Sequence, residues 1–225
     1  MNRERNSELD LLKFILAIMV LLLHKSGQIL GFRILVGANV CVDAFFMISG
    51  LLMAERMNKT STAGEFICKK IKYFYPPIFV AFLVYYIPYW VFNLNNEVFD
   101  VSEQVEKQLW GLLGFTQLGV GTSASAIGHI WYISVMLFAM LVLYPVLKRD
   151  VNKTFMTVYA PVLSLMLYGF LWNKYGMVQA NEVILVADGI LLFPNFFRGM
   201  AGILLGIFIS ILSGKMKSVC FTEQG

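Results

Sequence analysis

Side chains able to do charge or acid–base chemistry stand in a largely apolar run, Asp10–Leu30 (DLLKFILAIMVLLLHKSGQIL). Lys13 lies near one end and His24 deep inside, with the unbroken apolar residues Phe14 to Leu23 between them. In a helix, the eleven steps from Lys13 to His24 come to about three full turns, so the two share a face, roughly 16 Å apart along the axis. Asp10 stands one turn below Lys13 on nearly the same face. Histidine is the side chain best suited to take up and return a proton near pH 7, and lysine offers a positive charge to an anion. An ionisable group inside a membrane span is costly, normally faces protein or water, and marks a functional site by default. The plainer alternative for His24 is a histidine satisfied by a neighbouring helix.

Composition determines which elements must position these groups. Of the 225 residues, 58% are hydrophobic and 14% charged, and the mean hydropathy is +0.70. A soluble domain carries about 25% charged residues. The chain therefore reads as all-α, a polytopic integral membrane helical bundle. A net charge of +4 then reports orientation in the membrane, not nucleic-acid binding. Cys41, Cys68 and Cys220 lie far apart, with no spacing that suggests a disulfide framework or a metal site. The apolar run of the first span continues past His24 without a small-residue cleavage site, so it is expected to be retained.

Six spans are predicted: Asp10–Leu30, Val36–Ala54, Tyr73–Leu94, Ile127–Leu147, Thr154–Trp172 and Asn195–Leu212. Pro76 and Pro77 fall in the first turn of the third span, and Pro88 is expected to kink it. Gln108–Val120 and Val183–Phe193 are too short to cross, and read as interfacial or re-entrant. Gly202 and Gly206 have the spacing of a close helix contact. The membrane-embedded unit is placed at residues 1–214, followed by a short tail, 215–225.

Positive charge orients the bundle. With the amino terminus inside, one face collects Arg3, Arg5, Lys13, Arg56, Lys59, Lys69, Lys70, Lys72, Lys148, Arg149, Lys153, Lys215 and Lys217. The other keeps only Lys25, Arg33, Lys107, Lys174 and Arg198. Both termini are therefore expected on the cytoplasmic side of the plasma membrane. On that side Arg56, Lys59, Lys69, Lys70 and Lys72 crowd one loop. Such a run serves as a topology signal that attracts anionic membrane lipid, or as a landing site for a phosphorylated donor. Lys13 favours the second use, because it extends the positive surface towards His24.

These residues resemble the acyltransferase-3 family of membrane-bound acyltransferases. Asp10-Leu-Leu-Lys13, followed after ten intervening residues by His24, is similar to that family's opening signature, which carries arginine where Lys13 stands. Val42-Asp43-Ala44-Phe45-Phe46-Met47-Ile48-Ser49-Gly50-Leu51-Leu52 resembles its V-D-x-F-F-x-I-S-G-F-L run. Lys69-Lys70-Ile71-Lys72-Tyr73-Phe74-Tyr75-Pro76 resembles its basic segment before Y-P. His129-Ile130-Trp131-Tyr132 with Pro145, and Arg198-Gly199 with Gly206, match two further motifs in order. Each motif alone is weak; five in sequence are specific, and together they cover nearly all of the chain.

The resemblance implies transfer of an acyl group, usually acetyl from acetyl-CoA, to a hydroxyl of a carbohydrate or lipid-linked saccharide of the envelope. His24 would be the catalytic histidine. Lys13, Asp10, Lys69, Lys70, Lys72 and Tyr73 would bind the donor. Lysine at Lys13 keeps the charge of the family's arginine but loses its bidentate fork. The family usually has about ten helices, so this chain is expected to match the amino-terminal two-thirds of its core.

A histidine base usually needs an orienting carboxylate. Asp43 is the first candidate, with Asp188 and Asp10 behind it, and hydrogen bonding of Asp43 to backbone is the alternative. His129, Trp131 and Arg198 are candidates for holding the acceptor. The first two also suit an aromatic interface belt, and Arg198 also suits a pair with Asp188. Ser49-Gly50 reads as a packing pair rather than a nucleophile. Two other functions fit the composition: a transporter or scaffold, and an inactive truncated relative. No internal repeat supports the transporter.

Overall fold

The computed structural model describes residues 6–32, 34–57, 62–93, 131–150, 152–176, 184–187, 190–222 and the isolated positions 102, 109, 112 and 113. Most of Gln108–Val120, with His129 and Asp188, lies outside the described residues. Helix α1 runs Ser7–Leu30, opened by the Asn6 side chain, which accepts from Leu9 N at 3.1 Å, and closed by Gly31 at φ 75°. That left-handed conformation suits glycine and stops the helix. A short 3-10 turn, Val36–Asn39, leads into α2, Val40–Arg56. Helix α3 is Ala63–Asn93 and α4 is Trp131–Arg149. A π-helical turn, Phe155–Tyr159, feeds α5, Ala160–Tyr175. Strands β1, Ile184–Ala187, and β2, Ile190–Leu192, pair antiparallel before α6, Pro194–Thr222.

Helix α6 is the centre of the bundle and touches α2, α4 and α5. Phe46, Met53, Val135, Ala139, Met140, Leu143, Leu147, Ile203, Leu204 and Ile207 are buried among these helices. Between two apolar helices in a membrane, attraction comes from close packing, which small residues permit. A Cβ at Gly206 would land on the Met47 carbonyl, and one at Gly50 on the Ile203 carbonyl. One at Gly202 would meet Phe46 Cβ at 2.6 Å. The contact expected of Gly202 and Gly206 is thus the α2–α6 seam, with Gly50 answering from the other side. Ser164 Oγ donates to the Ala201 carbonyl at 2.8 Å and ties α5 to α6.

The outer helices pack more thinly. Helix α1 lies on α2 and the turn before it through Leu16, Met19, Val20 and Leu23 against Ala38, Cys41, Ala44, Phe45 and Ile48. Helix α3 meets the core through Phe66 and Ile67 in its first turns. Contacts between successive helices give the bundle two chemical ends. One gathers the starts of α2 and α6, where Arg198 meets Asp43. The other gathers the end of α2, the start of α3 and the end of α4, where Tyr144 meets Met57 and Phe66.

The helical membrane bundle is as predicted, with four differences. Five of the described helices are long and apolar enough to cross a membrane; α1 is not among them, although it forms at the expected place and about 36 Å long. Helix α3 begins ten residues before Tyr73 and runs through all three prolines, so Pro76 and Pro77 lie in its interior rather than in its first turn. Its Lys69, Lys70 and Lys72 are good helix formers and carry the helix beyond its apolar section. The same holds for α6, which continues past residue 214 to Thr222, so much of the expected tail is helix. Finally, Val183–Phe193 contains a small hairpin, which fits its β-branched and aliphatic content.

Candidate active site

At the basic end, three helices bring cations together. Lys13 Nζ lies 3.0 Å from Asp10 Oδ1, as the helical spacing predicts, and both are partly exposed. Lys70 turns inward from α3, with its Nζ 5.7 Å from the centroid of the Phe66 ring. Phe66 stacks on Tyr144 at 5.0 Å, and the Tyr144 hydroxyl donates to the Met57 carbonyl at 3.3 Å. This chain of contacts fixes where the ammonium sits. Burial, then the positive charges of Arg56 and Lys13, lower Lys70 to about 8. Lys70 on α3 therefore feels the fields of Arg56, at the end of α2, and of Lys13 on α1. Cations within electrostatic reach of Lys70 favour an anion beside it. Lys69, Lys72 and Tyr73 are exposed instead, and Tyr73 meets Phe74 edge-on at 5.1 Å.

His24 is exposed on α1. Leu23, which packs towards α2, is one step of 100° away, so the imidazole flanks the α1–α2 contact rather than entering it. The expected enclosure of His24 near the membrane midplane is not formed by the described residues. The ring lies six residues before Leu30, about 9 Å from the end of α1, and so nearer the Asp43–Arg198 end. Two residues on, buried Ser26 Oγ accepts from Ile34 N at 3.0 Å and fastens the α1–α2 connection. Lys13 and His24 keep their common face, with the cations at one end of it and the imidazole towards the other.

The buried polar cluster belongs to Asp43. Arg198 grips both of its carboxylate oxygens, with Nε donating to Oδ1 at 2.9 Å and Nη2 to Oδ2 at 2.5 Å. Nη2 also donates to the Asn39 carbonyl at 2.6 Å, and the Tyr168 hydroxyl donates to Asp43 Oδ1 at 3.1 Å. Arg198 is only 2% exposed and Asp43 only 8%. A bidentate pair so well buried compensates its own desolvation and locks α2, α5 and α6 in register. Asp43 thus faces Arg198 and Tyr168 rather than serving as the orienting carboxylate expected for His24. Arg198 pairs with Asp43, where Asp188 or an acceptor was expected. One nitrogen of that guanidinium, Nη1, is buried with no hydrogen-bond partner among the described residues.

Trp131 and Tyr132 start α4 and pack on Phe46, with ring centroids at 6.0 and 4.5 Å. Ser49 Oγ lies 3.0 Å from the Tyr132 hydroxyl, while Gly50 beside it admits the α6 backbone. The dipeptide is a packing pair, as its sequence suggests. Sequence reasoning named Arg56 only as part of the basic run, and did not name Tyr168. Arg56 stands in the same basic run as the donor candidates, whereas nothing in the sequence distinguishes Tyr168 from other span tyrosines. Among the described residues, no three His, Cys, Asp or Glu side chains gather as a metal site.

Residues 6–218 match the family model described as acyltransferase domain, that of the acyltransferase-3 family. Neither the curated proteins nor the solved structures yield a match. The match spans every described helix but the last turn of α6, and with it the histidine face, the cation cluster and the glycine seam; the chain belongs to the acyltransferase-3 family of membrane acyltransferases.

Proposed function

We propose that this membrane acyltransferase moves an acyl group, acetyl in the simplest case, from acyl-CoA to a hydroxyl of a carbohydrate or lipid-linked saccharide of the cell envelope. The observation that carries this reading is Lys70 turned inward over Phe66, in the fields of Arg56 and Lys13, at one end of the α1 face that bears His24. The cations bind the phosphates of the donor, and the pantetheine arm extends along α1 towards the imidazole. Lys13 keeps a positive charge for this even though Asp10 pairs with it, because a pair this exposed is weak and yields readily to a more highly charged phosphate. Both termini lie on the cytoplasmic side of the plasma membrane, where the donor is available.

The chemistry needs a base, since a sugar hydroxyl is a poor nucleophile at neutral pH. In the direct route, neutral His24 takes the hydroxyl proton as the oxygen attacks the thioester carbonyl carbon. The carbon–sulfur bond then breaks, the thiolate leaves with its electron pair, and the imidazolium returns the proton to that sulfur. In the alternative route His24 itself attacks the carbonyl and releases the thiolate; the hydroxyl oxygen then takes the acyl group from the imidazole, and the hydroxyl proton ends on the released sulfur. Radiolabelled acetyl-CoA with the purified protein separates the two. Label trapped on protein and absent from His24→Ala supports the acyl-histidine. Label found on the saccharide alone supports direct attack, and full transfer by His24→Ala overturns both.

A further inference from the structure

A groove of about 420 Å³ opens at the basic end between α4 and the π-helical turn that feeds α5. Pro145, Val146, Phe155 and Tyr159 line it, and Arg149, Asp150 and Thr154 stand at its rim. Val146 is 40% exposed and Tyr159 56%, so the apolar lining lies open on the outer surface of the bundle. The rim is built by a tight connection. Asp150 N bonds to the Leu147 carbonyl, Lys153 N to the Asp150 carbonyl, and Lys153 takes the left-handed conformation at φ 55°.

Charge decides what suits this groove. Residues 148–154 carry Lys148, Arg149 and Lys153 against one acid, Asp150. That acid is engaged inward: its Oδ2 accepts from Met156 N at 3.0 Å and caps the π-helical turn. Arg149 is exposed at the last turn of α4, one turn from Pro145 in the apolar lining. An exposed arginine bordering an apolar trough, with a tyrosine in the lining, matches a phosphate carrying hydrocarbon chains. Basic pockets between membrane helices bind anionic headgroups in this manner.

We propose that the α4–α5 groove is a specific site for one anionic phospholipid, its phosphate on Arg149 and an acyl chain against Val146, Phe155 and Tyr159. The proposal does not depend on the acyl-transfer reading, because it uses none of the same residues. Native mass spectrometry of the detergent-purified full chain tests it, with phosphatidylglycerol and phosphatidylcholine of identical chains as probes. The first phosphatidylglycerol is expected to bind at least fivefold more tightly than phosphatidylcholine. Arg149→Gln removes that preference, whereas Lys174→Gln, which deletes a charge at the far end of α5, leaves it intact. Val146→Trp fills the trough and weakens the first phosphatidylglycerol while keeping Arg149. Equal binding of the two lipids by the unaltered protein, or an unchanged preference in Arg149→Gln, overturns the proposal. A dimer that Val146→Trp abolishes would assign the groove to a second copy of the chain and overturn it equally.

Discussion

Replacing Asp43 by Asn tests the Asp43–Arg198 clamp at its most sensitive point. The change keeps the shape of the side chain but removes the charge that faces two donors of Arg198 and the Tyr168 hydroxyl. Arg198, 2% exposed, then holds an uncompensated charge with the Asn39 carbonyl as its remaining acceptor of those named. Breaking one partner of a buried pair costs about 3–5 kcal/mol, and Arg198→Met, which strands the carboxylate, falls in the same range. The double variant removes both charges and should recover part of the loss, giving a coupling of at least about 2 kcal/mol. The assay is reversible unfolding in mixed micelles of rising dodecyl sulfate fraction, followed by tryptophan fluorescence and analysed as a double-mutant cycle. Additive single effects, within about 0.5 kcal/mol, would refute the claim that these two side chains compensate each other.

Two further outcomes follow from the same packing and charge. Gly206→Ala drives a methyl into the Met47 carbonyl and should cost about 1–3 kcal/mol in the same unfolding assay, whereas Gly64→Ala, with open space around it, should be neutral or gain up to about 1 kcal/mol. For donor binding, Lys70 titrates at about 8, below its usual value, because of burial and then the Arg56 and Lys13 charges. It is charged below that pH and neutral above it. A bound phosphate favours the charged form, so the donor KM should rise as pH climbs from about 8 towards the ordinary lysine range. Lys70→Arg, which stays charged throughout, should abolish that rise, and a KM independent of pH in the unaltered protein would contradict the role.

Much of this fold is written locally. An apolar run of about twenty residues has few choices in a membrane, so the helices fall where the hydropathy places them. The helix ends were harder to read, because hydropathy marks where hydrocarbon stops rather than where the helix does. Lys69, Lys70 and Lys72 are as helical as the residues that follow them. The glycine seam was half legible: Gly202 and Gly206 announce a close contact, but no single sequence names Gly50 and Met47 as the other side. Pairing across the bundle was the least accessible. Asp43 and Arg198 are 155 positions apart, and their partnership is a matter of depth. Each sits about one turn inside the same end of its helix, with opposite charge, and that shared depth was the available signal. The exposure of His24 was hidden for a related reason. Periodicity tells which residues share a face of α1, not which neighbour covers that face.

The role of His24 is tested most directly by acyl transfer in proteoliposomes. The measurement is the rate at which label passes from radiolabelled acetyl-CoA to an envelope saccharide, compared between the unaltered protein and His24→Ala at equal folded amounts. Loss of a general base removes about 10²–10⁴-fold in rate, so His24→Ala should fall at least about a hundredfold while its unfolding midpoint stays near that of the unaltered protein. A His24→Ala variant that transfers acetyl at the original rate would contradict the account.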